Sequence, residues 1–209
     1  MTGDERFLVT GALGCIGAWT VRTLVREGAA VTTFDLGNDP RRLRAIMSPD
    51  ELARVQLVTG DISDLAALES TIDAHGITNV IHLAALQVPF CRADPPLGAR
   101  VNVLGTINVF EAVKRRADRM APVVYTSSIA VFADSDADPA TGRLRADATG
   151  HPRNHYGVYK QANEGNARIY WQDDGLASIG LRPTTVYGVG RDQGMTSGPT
   201  KARASRPDR

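Results

Sequence analysis

The sequence predicts an α/β protein with a Rossmann-like, doubly wound parallel sheet of about six strands and helices on both faces. Short apolar runs alternate with longer amphipathic stretches along the chain, and this alternation is typical of a parallel sheet built from strand–helix–strand units. The apolar runs are mostly unbroken, as in strands that are covered on both faces. A glycine triplet directly after the first run indicates a tight turn from strand to helix.

The limits of these elements follow from periodicity and from the residues that end helices. The segment 133–154 is rich in Asp, Gly and Pro and is expected to be a functional or mobile loop. Four longer helices are expected. The first ends at Gly28, the second is capped by Ser63 and ends at Gly76, the third begins at Pro96, and the fourth ends at Gly175. Strands are expected over residues 7–10, 30–35, 55–59, 79–83, 123–127 and 178–182.

The composition fits one ordinary folded domain. The chain has 209 residues, of which 43% are hydrophobic and 22% are charged, so it can bury one core but is too short for two full domains. The formal net charge is +1, which gives no general attraction to nucleic acid. No stretch approaches the length of a membrane span. Neither nucleic acid nor a membrane is therefore expected as a partner.

The two cysteines, Cys15 and Cys91, lack the spacing of a metal site or a redox pair. Two thiols in a chain of this size fit a reducing compartment, so we expect a cytoplasmic location and no metal. Residues 7–19 imitate an export signal, because they are apolar and have small residues before Cys15, as at a lipoprotein cleavage site. Asp4 and Glu5 spoil its positive leader, however, and glycines at fixed spacing suit a turn better.

The turn "GALGCIG" predicts a dinucleotide-binding site. Gly11 allows the tight turn, Gly14 leaves bare backbone for a pyrophosphate, and Gly17 lets the helix approach the strand closely. Glycine triplets alone are weak evidence, but Asp35 ends the next strand, eighteen positions after Gly17. A carboxylate there accepts hydrogen bonds from ribose hydroxyls and repels a 2′-phosphate. NAD is therefore expected as the cofactor rather than NADP.

Charged residues around this turn leave alternatives open. Asp35 is alternatively a plain turn residue at the end of a strand, and Arg41 and Arg42 keep NADP open as the cofactor. Asp61, in "GDISD" after the third strand, either meets the adenine amino group or serves as a turn residue before Ser63.

A pair of residues in "HYGVYK" predicts proton transfer. Tyr156 and Lys160 are four positions apart at the start of a helix, and this spacing puts them on one face. An ammonium about 4 Å from a phenol lowers the phenol pKa by roughly the three units needed for ionisation near pH 7. A tyrosinate formed in this way accepts the proton of a substrate hydroxyl while hydride leaves to NAD. Ser128, at the end of the fifth strand, either holds that hydroxyl or is a turn residue.

Seven motifs together resemble one protein family. The extended short-chain dehydrogenases/reductases, or NAD-dependent epimerase/dehydratase family, have similar motifs in the same order and spacing. The resemblance extends from about residue 6 to residue 202, nearly the whole chain. The motifs are "TGALGCIG", "GDISD", "VIHLAAL", "NVLGTINVFEA", "YTSSIAVF", "YGVYK" and "LRPTTVYG".

The resemblance implies roles for the matching residues. Ser128, Tyr156 and Lys160 match the catalytic serine, tyrosine and lysine, and Lys160 also matches the lysine that binds the nicotinamide ribose. His82 lies in the strand-end segment beside the cofactor and is expected to be a packed core imidazole. The cofactor-binding residues are expected to be Gly11, Gly14, Cys15, Ile16, Gly17, Asp35, Asp61, Ile62, Leu83, Ala84, Ala85, Asn102, Tyr156, Lys160, Pro183 and Thr184.

Departures from the family pattern narrow the chemistry. The sugar-nucleotide 4,6-dehydratases of this family carry two acidic residues, Asp and Glu, directly after the catalytic hydroxyl. This sequence has Ile129 and Ala130 at those positions, so the resemblance does not imply a dehydratase. The resemblance then implies an NAD-dependent epimerase or dehydrogenase acting on a secondary alcohol of a sugar, nucleotide sugar or sugar acid. The alternative is a catalytically impaired NAD-binding fragment, sensor or scaffold. Cys91 stands where many relatives carry a serine near the substrate. Its thiol either faces the pocket or, as we expect here, is a buried structural thiol.

The resemblance also implies how the chain is organised. Residues 1–189 are expected to form the NAD-binding domain with the catalytic trio. Residues 190–209 are expected to be the start of a truncated substrate lobe and a disordered tail, because relatives continue well past "LRPTTVYG". A homodimer is expected through the helices that begin near Pro96 and His155.

Overall fold

A single parallel sheet forms the centre of the protein. A computed structural model describes residues 5–145, 148–194, 197–198, 200 and 202. The strand order in these residues is β3-β2-β1-β4-β5-β6, the order of a Rossmann fold. The predicted sheet is confirmed, and every strand limit lies within one residue of its expected position. The strands are β1 (Arg6–Thr10), β2 (Ala30–Asp35), β3 (Val55–Thr59), β4 (Asn79–His82), β5 (Val123–Thr126) and β6 (Ser178–Leu181).

Eight α-helices connect the strands in the described part of the chain. Gly28 and Gly175 follow two of them with φ angles of 87° and 65°, so these helices end as the glycines predicted. The short α2, α3 and α5 were not expected from the sequence. The helices are α1 (Cys15–Arg26), α2 (Arg41–Arg44), α3 (Pro49–Ala53), α4 (Leu65–Ala74), α5 (Val88–Ala93), α6 (Pro95–Ala99), α7 (Gly105–Lys114) and α8 (His155–Asp174), with a π-helical turn (Arg100–Leu104) between α6 and α7.

The cap of α4 corrects the expectation for Ser63. The Asp64 carboxylate accepts a hydrogen bond from the backbone N–H of Ala67 at 3.0 Å, so Asp64 is the cap. A carboxylate at this position also interacts favourably with the helix dipole. Ser63 instead donates its backbone N–H and its hydroxyl to Asp61, both at 2.8 Å.

The hydrophobic core has one cluster on each side of the sheet. Leu8 of β1 belongs to the cluster under α4 and α7, while its neighbour Val9 belongs to the cluster under α1, as strand alternation requires. The expectation that all strands are covered on both faces is wrong for the edges. Leu57 of β3 and Leu181 of β6 are about half exposed, because an edge strand has fewer elements packed around it.

The segment 133–154 is tied together by Asp136. Its nearly buried carboxylate contacts the ring of His151 and accepts hydrogen bonds from the backbone N–H groups of Ala133 and His151. These bonds, chiefly the one from the His151 ring, lower the pKa of Asp136 to about 2. The expected loop thus has defined internal contacts. Residues 146–147 and the predicted tail 203–209 lie outside the described residues.

No helix among the described residues has the combination of length and apolar character that crossing a membrane requires.

Two glycine substitutions should have opposite effects on stability. A Cβ at Gly17 would lie 2.2 Å from the Gly11 carbonyl oxygen, whereas a Cβ at Gly165 in α8 meets nothing within 4 Å. G17A should therefore lower the free energy of unfolding by about 1–3 kcal/mol. G165A, its matched control, should raise it by about 0.5–1 kcal/mol because alanine favours the helix. Urea denaturation measures both, and equal stabilities would contradict the close approach of α1 and β1.

Candidate active site

A cleft opens at the carboxyl ends of the strands, where the strand order reverses between β1 and β4. Its volume of about 800 Å³ is that of a ligand pocket, and in open α/β sheets ligands bind at this point. With the exception of Asn102, the sequence-predicted residues all line it. They are Gly11, Gly14, Cys15, Ile16, Gly17, Asp35, Asp61, Ile62, Leu83, Ala84, Ala85, Ser128, Tyr156, Lys160, Pro183 and Thr184.

The glycine turn leaves the start of α1 without a side-chain cap. Gly11 has a φ of 65°, which favours glycine, and a Cβ there would lie 2.6 Å from the backbone of Ala84. Gly14 is the N-cap residue and has no side chain to bond the first-turn amides. Uncapped amides at a helix N-terminus are suited to phosphate groups.

The two acids near this turn are anchored by local hydrogen bonds. Asp35 accepts the backbone N–H of Leu13 at 2.9 Å and that of Gly37 at 3.1 Å. A carboxylate has about four lone-pair sites, so it retains capacity for two ribose hydroxyls. Asp61 lines the cleft and also accepts two bonds from Ser63. Both interpretations of Asp61 are therefore compatible with its position.

The structure brings Ser128, Tyr156 and Lys160 together. Ser128 follows β5, is 9% exposed, and has its hydroxyl close enough to the Tyr156 phenol to lower the phenol pKa. Tyr156 and Lys160 share one face of α8, and the Lys160 Nζ lies 5.7 Å from the centroid of the Tyr156 ring. The Lys160 Nζ donates a 2.7 Å hydrogen bond to the carbonyl oxygen of Thr126. This arrangement places a hydroxyl, a phenol and an ammonium in one wall of the cleft.

Burial changes the protonation of this trio. It lowers the pKa of Lys160 to about 8, because a charged amine is disfavoured away from water. Burial also raises the pKa of Tyr156, and the nearby Ser128 hydroxyl opposes that rise only in part. The pKa of Tyr156 is thus raised, whereas we expected positive charge beside the phenol to lower it.

His82 is a packed core imidazole, as expected. Its Nδ1 is 2.7 Å from the Thr10 Oγ1 and its Nε2 is 3.0 Å from the Thr106 Oγ1. Burial, and secondly the charge of Lys160, lower its pKa to about 3. Thr106 already donates its hydroxyl to the Asn102 carbonyl at 2.7 Å, so it accepts from the Nε2–H of a neutral ring.

Asn102 does not line the cleft, unlike the other predicted cofactor residues. It is fully buried in the π-helical turn, and its side chain bonds both backbone groups of Leu86, a residue of the cleft wall. Its amide also donates to the sulfur of Cys91 at 3.4 Å. Cys91 is buried and donates to the Leu86 carbonyl, as expected for a structural thiol.

Sequence reasoning missed Glu164, which joins three parts of the site. Glu164 accepts the Ser127 hydroxyl at 2.5 Å and two hydrogen bonds from Arg182 at 2.7 Å. Burial alone would raise the pKa of Glu164, but the bonds from Arg182 and Ser127 outweigh it and lower the pKa. Ser127 precedes Ser128, and Arg182 precedes Pro183. The spacing of Glu164, four residues after Lys160, was the available signal.

Among the residues that the structure describes, no group of three or more His, Cys, Asp and Glu side chains could hold a metal ion.

The burial of Lys160 predicts a pH-dependent gain in stability on its removal. Its pKa falls from 10.5 to about 8 on folding, a shift worth roughly 3 kcal/mol. K160M should therefore be more stable than the parent below pH 8, where the buried ammonium is charged. The difference should shrink as the pH rises from 8 to 10.5, because the unfolded parent then binds more protons than the folded one.

Thermal unfolding at pH 7 and pH 10 measures this difference. The control is K114M, which removes an amine paired with Asp174 at the surface; its difference from the parent should not narrow in this way. A K160M difference that is the same at both pH values would contradict a lowered lysine pKa.

The chain matches known proteins over most of its length. UDP-glucuronate 4-epimerase 3 of Arabidopsis thaliana is 34% identical over 185 residues, covering 87% of this chain and 42% of the relative. D-erythronate dehydrogenase of Cupriavidus necator is 33% identical over 164 residues, covering 75% of this chain and 48% of the relative. The chain thus spans about half the length of these relatives.

Solved structures share the same fold. A UDP-glucose 4-epimerase of Thermus thermophilus, in complex with NAD, matches with a TM-score of 0.70 at 28% identity, over 88% of this chain and 55% of that chain. An L-threonine dehydrogenase of Clostridium difficile matches with a TM-score of 0.77 at 22% identity, over 88% and 54%; this second likeness concerns the fold alone. A model of the NAD dependent epimerase/dehydratase family matches residues 7–205. The chain therefore belongs to the NAD dependent epimerase/dehydratase family.

Proposed function

We propose that the protein is an NAD-dependent oxidoreductase or epimerase acting on a secondary alcohol of a sugar, nucleotide sugar or sugar acid. The observation that carries the proposal is that Ser128, Tyr156 and the buried Lys160 line one cleft, with the Lys160 Nζ 5.7 Å from the centroid of the Tyr156 ring. The trio lines the same cleft as the glycine turn and Asp35. A cofactor end and a reacting end are therefore present in one cavity.

The residues of the cleft fit NAD at each part of the molecule. The uncapped start of α1 suits the pyrophosphate, and the Asp35 carboxylate suits the ribose hydroxyls of the adenosine. Lys160 and Pro183 line the opposite part of the cleft, next to Ser128 and Tyr156, which suits the nicotinamide end. The bound oxidised nicotinamide would supply the hydride acceptor and a positive charge.

The trio divides the proton transfer among its members. Ser128 would hold the substrate hydroxyl, and Tyr156 would accept its proton. Since burial raises the pKa of Tyr156, the phenol needs positive charge beside it in order to ionise. The Lys160 ammonium is one source, and it is held in place by the Thr126 carbonyl.

The substrate class rests on the relatives and on two side chains. The relatives include a UDP-glucuronate 4-epimerase and a D-erythronate dehydrogenase. Ile129 and Ala130 follow Ser128 and carry no acid, which disfavours elimination of water. Epimerisation or simple oxidation therefore remains the proposed reaction.

Location and assembly are part of the same proposal. Both cysteines are free thiols, which suits the cytoplasm. The helices expected to form a homodimer carry exposed apolar side chains, namely Leu97, Leu104 and Val158. The proposal includes an NAD-binding domain that ends at residue 189 and a following segment that belongs to a substrate lobe.

Replacing Tyr156 tests the proposed chemistry. Y156F should bind NAD with a Kd within about twofold of the parent in calorimetry, because the loss of one hydroxyl leaves the other expected cofactor contacts in place. Its rate of NADH formation should fall by about 10²–10⁴-fold over a panel of sugars, nucleotide sugars and sugar acids.

The matched control is Y159F, because the Tyr159 hydroxyl donates to the Pro95 carbonyl at 2.9 Å and does not line the cleft; its rate should be close to that of the parent. Full turnover in Y156F would refute the role of Tyr156. NAD binding by the parent without turnover of any compound in the panel would favour a cofactor-binding sensor or scaffold instead.

A further inference from the structure

Arg42, one of the two cations beside the adenosine end of the cleft, is held at all three guanidinium nitrogens. Its Nε donates to the Gly190 carbonyl at 2.9 Å, and its Nη1 donates to the Leu13 carbonyl at 2.8 Å. Its Nη2 forms an ion pair with Asp192 at 2.5 Å. The side chain is only 17% exposed, so this arginine is fixed in the wall.

The same carboxylate also holds the other cation. The Nη2 of Arg41 lies 3.2 Å from the second carboxylate oxygen of Asp192. One acid, about 150 positions later in the sequence, thus bonds two of the arginines that follow β2. Its single negative charge offsets part of their combined charge of two at short range.

These arginines lie beside the expected ribose site. Leu13 connects Asp35 to Arg42, because its backbone N–H donates to the Asp35 carboxylate and its carbonyl accepts from the Arg42 guanidinium. Asp35, Arg41 and Arg42 all line the cleft. A 2′-phosphate on the ribose would therefore enter next to an acid and two arginines.

The two cofactors make opposite demands on this corner. NAD needs a carboxylate for its ribose hydroxyls, whereas NADP needs a guanidinium free to bind its 2′-phosphate. Arginine binds phosphate best with two parallel N–H groups. An arginine whose fork already binds a carboxylate and two carbonyls has to break those bonds first.

We propose that Asp192 is a specificity-determining residue, which excludes NADP by holding Arg41 and Arg42 in an ion-paired cluster beside Asp35. The inference rests on the proposed function, because it presupposes a dinucleotide in the cleft. The alternative role for Asp192 is purely structural, as an anchor of the segment around Gly190. A structural anchor changes the binding of NAD and NADP alike, whereas a specificity residue changes their ratio.

The experiment measures the Kd of the full chain for NAD and for NADP by calorimetry, in the parent and in D192N. The asparagine keeps the size of the side chain and removes its charge. The Kd for NADP should fall about tenfold, and the Kd for NAD should stay within about twofold, so the NAD/NADP preference should shrink about tenfold. The gain in NADP affinity should weaken in high salt, since screening acts on exposed charges.

D73N is the matched control. Asp73 pairs with two arginines, Arg116 and Arg119, and does not line this cleft, so its substitution makes the same change in charge elsewhere. Its NAD/NADP preference should equal that of the parent. A similar gain in NADP affinity in D73N would overturn the inference, because net charge alone would then explain it.

R41M keeps the proposal testable if D192N does not fold. Since Asp192 already compensates Arg41 in the parent, losing Arg41 should change the Kd for NADP by less than about twofold. A tenfold loss would show that this arginine serves NADP and would overturn the inference. An unchanged NADP affinity in a folded D192N that still binds NAD would also overturn the inference. The proposed function would stand in that case. A parent chain that binds no NAD refutes both.

Discussion

The candidate site depends on one buried charge, the ammonium of Lys160. A lysine that is 2% exposed lacks most of its hydration, and the protein replaces it with the carbonyl of Thr126 at the end of β5. A buried charge is tolerated only where it is paired or hydrogen-bonded. The carboxyl end of the parallel sheet provides this place, and α8 provides the lysine.

The imidazole in the wall behind Lys160 adds no second positive charge. His82 stays neutral, with a pKa of about 3, and its ring bonds two threonine hydroxyls. Thr106 passes the chain of hydrogen bonds on to the carbonyl of Asn102, which also accepts the amide of Asn163 from α8. The π-helical turn that contains Asn102 thereby joins the cleft wall at Leu86 to the helix that carries Lys160.

The sequence was sufficient for features with a local cause. The six strands were predicted from short apolar runs, and the pairing of Tyr156 with Lys160 from a four-residue spacing. The roles of Gly11 and Gly17 were predicted from the turn motif, and a Cβ at either glycine would lie 2.2–2.6 Å from backbone atoms. Features with a competing or distant cause were missed. Asp64 displaced Ser63 as a cap because two adjacent residues could both serve. The Tyr156 pKa depends on the depth of the cleft, which no spacing encodes.

The same distinction between local and distant causes explains why the motifs favoured NAD but could not show whether Arg41 and Arg42 bind a 2′-phosphate. Asp35 lies eighteen residues after the glycine turn and has its role from local geometry. The neighbouring sequence does not decide the role of Arg41 and Arg42, because a guanidinium beside a ribose site either binds phosphate or is already paired with an acid. Their partner lies about 150 residues away. A charge near a binding site therefore has a function only together with its counter-charge, and the fold decides which counter-charge it meets.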